Sequence, residues 1–253
     1  MPSPRSQLVP TPAHLAARWP WDRAEFGPLP VLLIGLTFLT GIVDGVSYVG
    51  LGHVFVANMT GNVVFLGFAL GGAHGLSAVA SLIALAAFVV GAVCGGRIGS
   101  RSFRHRARHL RNATAAAVPC LLAAVVVAAI AGRSPSTGAG DAIVAVLAFS
   151  MGIQNATARR LAVPDLTTTV LTLTLTGVGA DSALGAGRGS HLARRLSAVA
   201  TMLAGALVAV VLVRHVDLAV PLALAAAIAA TVAAAGHRFA AADAAWTRPP
   251  AAG

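Results

Sequence analysis

Hydrophobic positions along this chain fall into long, nearly unbroken runs. They are not spaced at the intervals of an amphipathic surface helix. Six runs, near 31–50, 77–96, 113–132, 141–158, 196–213 and 218–236, are long enough for a helix crossing a hydrocarbon core of ~30 Å, which takes about 20 residues. Two further apolar segments, 54–71 and 165–180, are shorter and broken by polar residues. Asn58, Thr60 and Asn62 interrupt the first, and Asp165 and a series of threonines interrupt the second.

The polar interruptions repeat. Gly41-Ile42-Val43-Asp44-Gly45 precedes Phe55-Val56-Ala57-Asn58-Met59-Thr60-Gly61-Asn62. Gly152-Ile153-Gln154-Asn155-Ala156 precedes Asp165-Leu166-Thr167-Thr168-Thr169-Val170-Leu171-Thr172. Carboxylate, amide and hydroxyl groups are costly in hydrocarbon, so a cluster written twice at membrane depth points to a working site.

Composition agrees with a membrane protein. The chain is 57% hydrophobic and 10% charged, against roughly 25% charged residues in a soluble domain. The fold class expected is all-α: a polytopic membrane protein of six spans plus two re-entrant or broken helices. Residues 1–28 are rich in proline, lack an apolar signal-peptide core and read as a disordered tail. Residues 29–238 form one transmembrane domain, with repeat one about 31–96 and repeat two about 141–213, and 239–253 read as a second disordered tail.

Charge decides between crossing and re-entrant segments. The net charge of +10 comes from eighteen arginines and no lysine. If all eight segments cross, the arginines divide evenly between the two sides, against the positive-inside tendency. If 54–71 and 165–180 enter and leave on one side, only Arg133 and Arg214 lie outside, and the other sixteen of the eighteen face the cytoplasm. That count favours six full spans plus two re-entrant or broken segments, with both termini cytoplasmic. It also makes the two copies run in opposite directions, an arrangement recurrent among secondary transporters. Each arm of such a hairpin has about nine residues and reaches ~13 Å, so the tips near Thr60–Asn62 and Thr172–Thr174 can meet at mid-membrane.

The motifs Gly41-x-x-Asp44 with Ser47, Phe55 through Asn62, Gly152 through Ala156, and Arg159-Arg160-x-x-Val163-Pro164-Asp165 through Thr172 resemble the YoaK-like family of uncharacterised bacterial membrane proteins. The similarity covers roughly 30–236. The resemblance implies a six-span membrane protein and brings no substrate and no assigned active site.

The candidate substrate- or ion-binding residues are Asp44, Asn58, Thr60, Asn62, Asn155, Thr168, Thr169 and Thr172. Asp44 can carry a proton or bind a cation, or it can serve as an acceptor for main-chain N–H groups. The amides and hydroxyls can replace a hydration shell, or they can hydrogen-bond between helices and back onto their own helix carbonyls. Pro164-Asp165 has the pattern of a helix start, where a carboxylate suits the N-terminus.

Glycines at four-residue spacing, Gly41–Gly45, Gly67–Gly71 and Gly91–Gly95–Gly99, permit close packing, either inside the chain or between two copies in a homo-oligomer. The arginine clusters flank spans, which favours anionic lipid over nucleic acid as partner. His105 and His109 have i,i+4 spacing, but the surrounding arginines oppose a metal ion. No cofactor is implied, and Cys94 and Cys120 form no disulfide or metal pattern.

Three functions compete. A small-solute or ion transporter or channel fits the paired polar interruptions best. A membrane-embedded lipid-modifying enzyme would need a nucleophile or metal set, and the sequence contains no Ser-His-Asp set, HExxH or paired carboxylates beyond His53 near Asp44. An accessory protein would use its glycine faces to bind another membrane protein.

Overall fold

The computed structural model describes residues 23–102, 104–166, 171–180 and 192–248. The protein is all-α. After a short α1 (Arg23–Phe26) come α2 (Leu29–Gly50), α3 (Met59–Leu70), α4 (Ala78–Ser102), α5 (Arg106–Ala131), α6 (Thr137–Leu161), α7 (Leu171–Ala180), α8 (Leu192–His215) and α9 (Ala219–Phe239), then a 3-10 turn at Ala245–Thr247. Six of these helices, α2, α4, α5, α6, α8 and α9, are long and apolar enough to cross a membrane. Helix is the natural state for such runs, because lipid offers the main chain no hydrogen-bonding partner.

Pairwise contacts fix the helix directions. Gly41 lies against Met202 and Gly205, and Gly45 against Ala206 and Ala209, so α2 and α8 run parallel. Gly91 lies against Phe149, Gly95 against Ile153, and Gly99 against Arg160, so α4 and α6 are parallel as well. Gly35 meets Ile228 and Val232 while Gly50 meets Leu218, which sets α9 antiparallel to α2. Arg108 Nε donates to the Ala240 carbonyl, and Arg133 Nε to that of Val216 at the far end, so α5 is antiparallel to α9. Helices α2, α5 and α8 therefore point one way and α4, α6 and α9 the other.

Two consequences follow for the short helices. The segment 51–77, which contains α3, leaves α2 and enters α4 at the same end of the bundle. The segment 162–191 leaves α6 and enters α8 at the opposite end. With 12 residues, α3 is about 18 Å long, short of a ~30 Å core.

Helices α2 and α6 form the centre, where 67% and 50% of their apolar windows are buried, against 17% for α8. Large apolar side chains exposed on α4, α5 and α8, such as Val90, Ile130 and Leu203, form the lipid-facing surface. The contact scheme is unchanged when α2–α5 is exchanged for α6–α9. Thus α2–α8 matches α6–α4, α3–α4 matches α7–α8, α5–α6 matches α9–α2, and α5–α9 matches itself.

Two of the three glycine faces considered for self-association, Gly41–Gly45 and Gly91–Gly95–Gly99, are occupied within the chain. A Cβ at Gly152 would collide with the Phe88 carbonyl, and one at Gly205 with the Phe38 carbonyl. Gly67 differs, with open space around it. Small residues here set the closest helix crossings, as expected where backbones must approach without a hydrophobic drive.

The arginine-rich end is closed by the C-terminal residues. The sequence predicts a disordered tail after Arg238, yet 240–248 folds back over α5. His105 Nε2 meets the Ala242 carbonyl at 3.0 Å, and the buried Arg106 reaches the carbonyls of Glu25, Leu161 and Trp246. Gly27, at φ +53°, lies so close to the Trp246 ring that a side chain there would overlap it. Periodicity does not signal such a strap, because arginine-to-carbonyl pairing has no spacing rule.

Candidate functional site

The site is built on an interruption. After Gly50 the chain leaves the helix, turns at Gly52 and His53 with positive φ, and runs back into the bundle as a non-helical stretch before α3 starts at Met59. Main-chain groups in such a stretch need partners, and two side chains supply them.

Asp44 Oδ1 accepts the N–H groups of Val56 at 2.9 Å and Ala57 at 2.8 Å. Asn62, fully buried in the first turns of α3, pairs with Phe55 in both directions. Its Oδ1 accepts the Phe55 N–H at 2.9 Å, and its Nδ2 donates to the Phe55 carbonyl at 2.6 Å. Asp44 lies six residues before the end of α2, so the chain reaches about 9 Å below that end before turning. Tyr48, Phe55 and Phe65 stack over the return stretch, with centroids 5.1 Å apart for Tyr48–Phe55 and 5.6 Å for Phe55–Phe65.

An open cavity of about 640 Å³ lies at this tip. Asn58, Thr60, Met59 and Phe65 line it from the first interruption, Phe88 from α4, and Thr172 from α7. The two interrupted segments thus converge on one space. Thr60 and Thr172 are exposed there and Asn58 is half-buried. The Asn58 carbonyl accepts the Gly61 N–H at 3.2 Å, and the Thr172 carbonyl accepts the Thr176 hydroxyl at 2.8 Å.

The other candidates stand elsewhere. Asp44 is 4% exposed and supports the wall from behind Ala57; its Oδ2 has no hydrogen-bond partner. Asn155 lies in α6 and donates to the Met151 carbonyl at 2.9 Å. Thr168 and Thr169, with Thr167, fall outside the described residues.

Asp165 lies in a turn at φ +60° and pairs with the first turn of α8. Arg194 Nε is 2.6 Å from its Oδ2, and Arg195 Nε is 3.2 Å from its Oδ1. Two arginines at a helix N-terminus oppose the macrodipole, and the carboxylate between them offsets that cost.

Sequence reasoning passed over two features. Gln154 Nε2 donates to Thr40 Oγ1 at 2.8 Å and to the Leu36 carbonyl at 3.3 Å, tying α6 to α2 at the bundle centre. Its place inside the repeated Gly152–Ala156 motif was the available signal. Phe88 had none, being one apolar residue in an apolar helix. Among the described residues, no three His, Cys, Asp or Glu side chains gather as a metal-ligand set.

A family model described as "Protein of unknown function (DUF1275)" matches residues 32–235. The chain belongs to this family. The matched region takes in α2 through most of α9, and so the whole membrane bundle and both interruptions. The chain is also similar to the UPF0700 transmembrane protein YoaK of Bacillus subtilis (strain 168). The two are 34% identical over 152 residues, which is 59% of this chain and 65% of that relative. The alignment therefore spans a little under two-thirds of the relative's length. No solved structure matches the chain.

Proposed function

We propose that this protein carries a small polar solute or ion across the membrane through the cavity between its two interrupted segments. One observation carries the reading: Asn58 and Thr60 of the first interruption line the same open space as Thr172 of the second. Hydroxyl and amide groups with aqueous or solute partners are affordable at such depth, whereas in dry lipid they are costly.

The contact scheme supports a matching architecture, in which α2–α5 and α6–α9 are two units of inverted topology. Under this reading Asp44 is a positioning residue that holds the return stretch, and Asn62 shares that work. The arginine-rich end faces the cytoplasm of a bacterial inner membrane, following the positive-inside tendency.

Flux into vesicles reconstituted with the full chain tests the reading, with a panel of ions and metabolites offered from outside. Passage that depends on protein, and that falls when Thr60→Val and Thr172→Val are combined, is the expected result. Passage unchanged in that double variant would remove the cavity from the route.

A further inference from the structure

Taking the passage reading as its base, the cavity itself narrows the class of solute. We propose that it accepts an uncharged small organic molecule with hydroxyl or amide groups on one side and carbon surface on the other, of the polyol or simple amide type.

The lining is the argument. Among the described residues, its polar side chains are one amide, Asn58, and two hydroxyls, Thr60 and Thr172. These groups donate and accept at once, the pattern that matches hydroxyl and amide partners. Met59, Phe65 and Phe88 supply soft apolar surface for the carbon skeleton. No Asp, Glu, Arg or His stands among the described lining residues.

An ion exchanging its hydration shell for these groups would meet no counter-charge among the described lining residues, at a cost of several kcal/mol per ion. Asp44 stands outside the lining, buried behind Ala57. Its Oδ1 is already engaged by two main-chain N–H groups, and the partial positive charge of the α3 N-terminus lies beside the same stretch. Size agrees, because about 640 Å³ falls within the ~300–1,000 Å³ typical of sites for small organic molecules.

The test uses the full chain in phosphatidylethanolamine–phosphatidylglycerol vesicles. Uptake of radiolabelled urea, glycerol and xylitol is measured beside radiolabelled rubidium and chloride. Protein-dependent entry of a neutral solute, with no entry of either ion, is expected. Thr60→Val with Thr172→Val should abolish it, and Thr60→Ser with Thr172→Ser should restore it, each variant first shown to melt with the wild-type profile. Ion entry at a rate equal to or above that of the neutral solutes overturns this inference and leaves the passage reading standing. Entry of nothing on the panel overturns both.

Discussion

The side-chain amide of Asn62 makes two hydrogen bonds to the main chain of Phe55, one accepted and one donated. It takes the place of a neighbouring strand, in a protein where no strand is available among the described residues. Replacing it with leucine leaves both the N–H and the carbonyl of half-buried Phe55 unpaired. Each such group costs about 1–3 kcal/mol, so Asn62→Leu should lower the thermal unfolding midpoint in detergent markedly. Asn62→Asp keeps the acceptor but buries a carboxylate oxygen against the Phe55 carbonyl, so at neutral pH it should destabilise at least as much.

Asp44 makes a sharper comparison. Its Oδ1 takes two N–H groups and its Oδ2 takes none. Asparagine preserves the working oxygen, so Asp44→Asn should fold with nearly wild-type stability. Asp44→Leu abandons both N–H groups and should lose roughly 2–6 kcal/mol, about two unpaired donors. In the flux assay, Asp44→Asn separates a positioning role from proton or cation carriage: retained passage fits the first, and selective loss of passage in a stable protein fits the second.

Adjacent glycines in α4 should respond oppositely to alanine. A Cβ at Gly95 would meet the Ile153 main chain at 2.9 Å, whereas one at Gly96 meets nothing within 4 Å. Main chain cannot rotate aside, so Gly95→Ala should destabilise by about 1–3 kcal/mol as an overpacked contact does. Gly96→Ala should be neutral or stabilising by up to ~1 kcal/mol, the difference in helix propensity. Parallel thermal melts of the two variants give the comparison directly.

Asp165 holds two arginines in the first turn of α8. Asp165→Asn removes the charge while nearly preserving shape, and leaves both guanidinium groups facing the helix dipole. A loss of about 2–3 kcal/mol is expected, in the range of hydrogen bonds to charged groups. Protease cleavage between α6 and α8 should accelerate in that variant, and limited proteolysis followed over time reads it out.

Topology is checked by labelling. With Cys94 and Cys120 replaced, Val49→Cys and Ala73→Cys flank the first interruption, and Arg159→Cys and Leu192→Cys flank the second. Each pair should react with an impermeant reagent from a single side, and the two pairs from opposite sides. Labelling of one pair from both sides would mean that its segment crosses.

Much of this architecture can be read from hydropathy. All six expected spans correspond to helices, but the helices are longer, as with 113–132 against Arg106–Ala131. Hydropathy registers only the depth that lipid covers, while helical hydrogen bonding continues through Arg106, His109 and Arg111 into the headgroup region. The Gly41-x-x-Asp44 and Asn58-Met59-Thr60-Gly61-Asn62 elements flank the place where the chain leaves α2 and enters α3. They did not show how the break is held. Asp44 with Ala57, and Asn62 with Phe55, are side-chain to main-chain pairs between segments of different form, and such pairs leave no periodic trace. Helix pairing was illegible for a related reason. A glycine that meets a distant carbonyl and one that faces open space, as Gly95 and Gly96 do, look alike in sequence.

The close crossing of α2 with α8 bears on how the protein is made. Gly41 finds its partner at Gly205, which leaves the ribosome only after most of the chain has been synthesised. Until then the Gly41–Gly45 flank of α2 lacks its packing partner from α8. A chain truncated before α8 should therefore be degraded soon after synthesis.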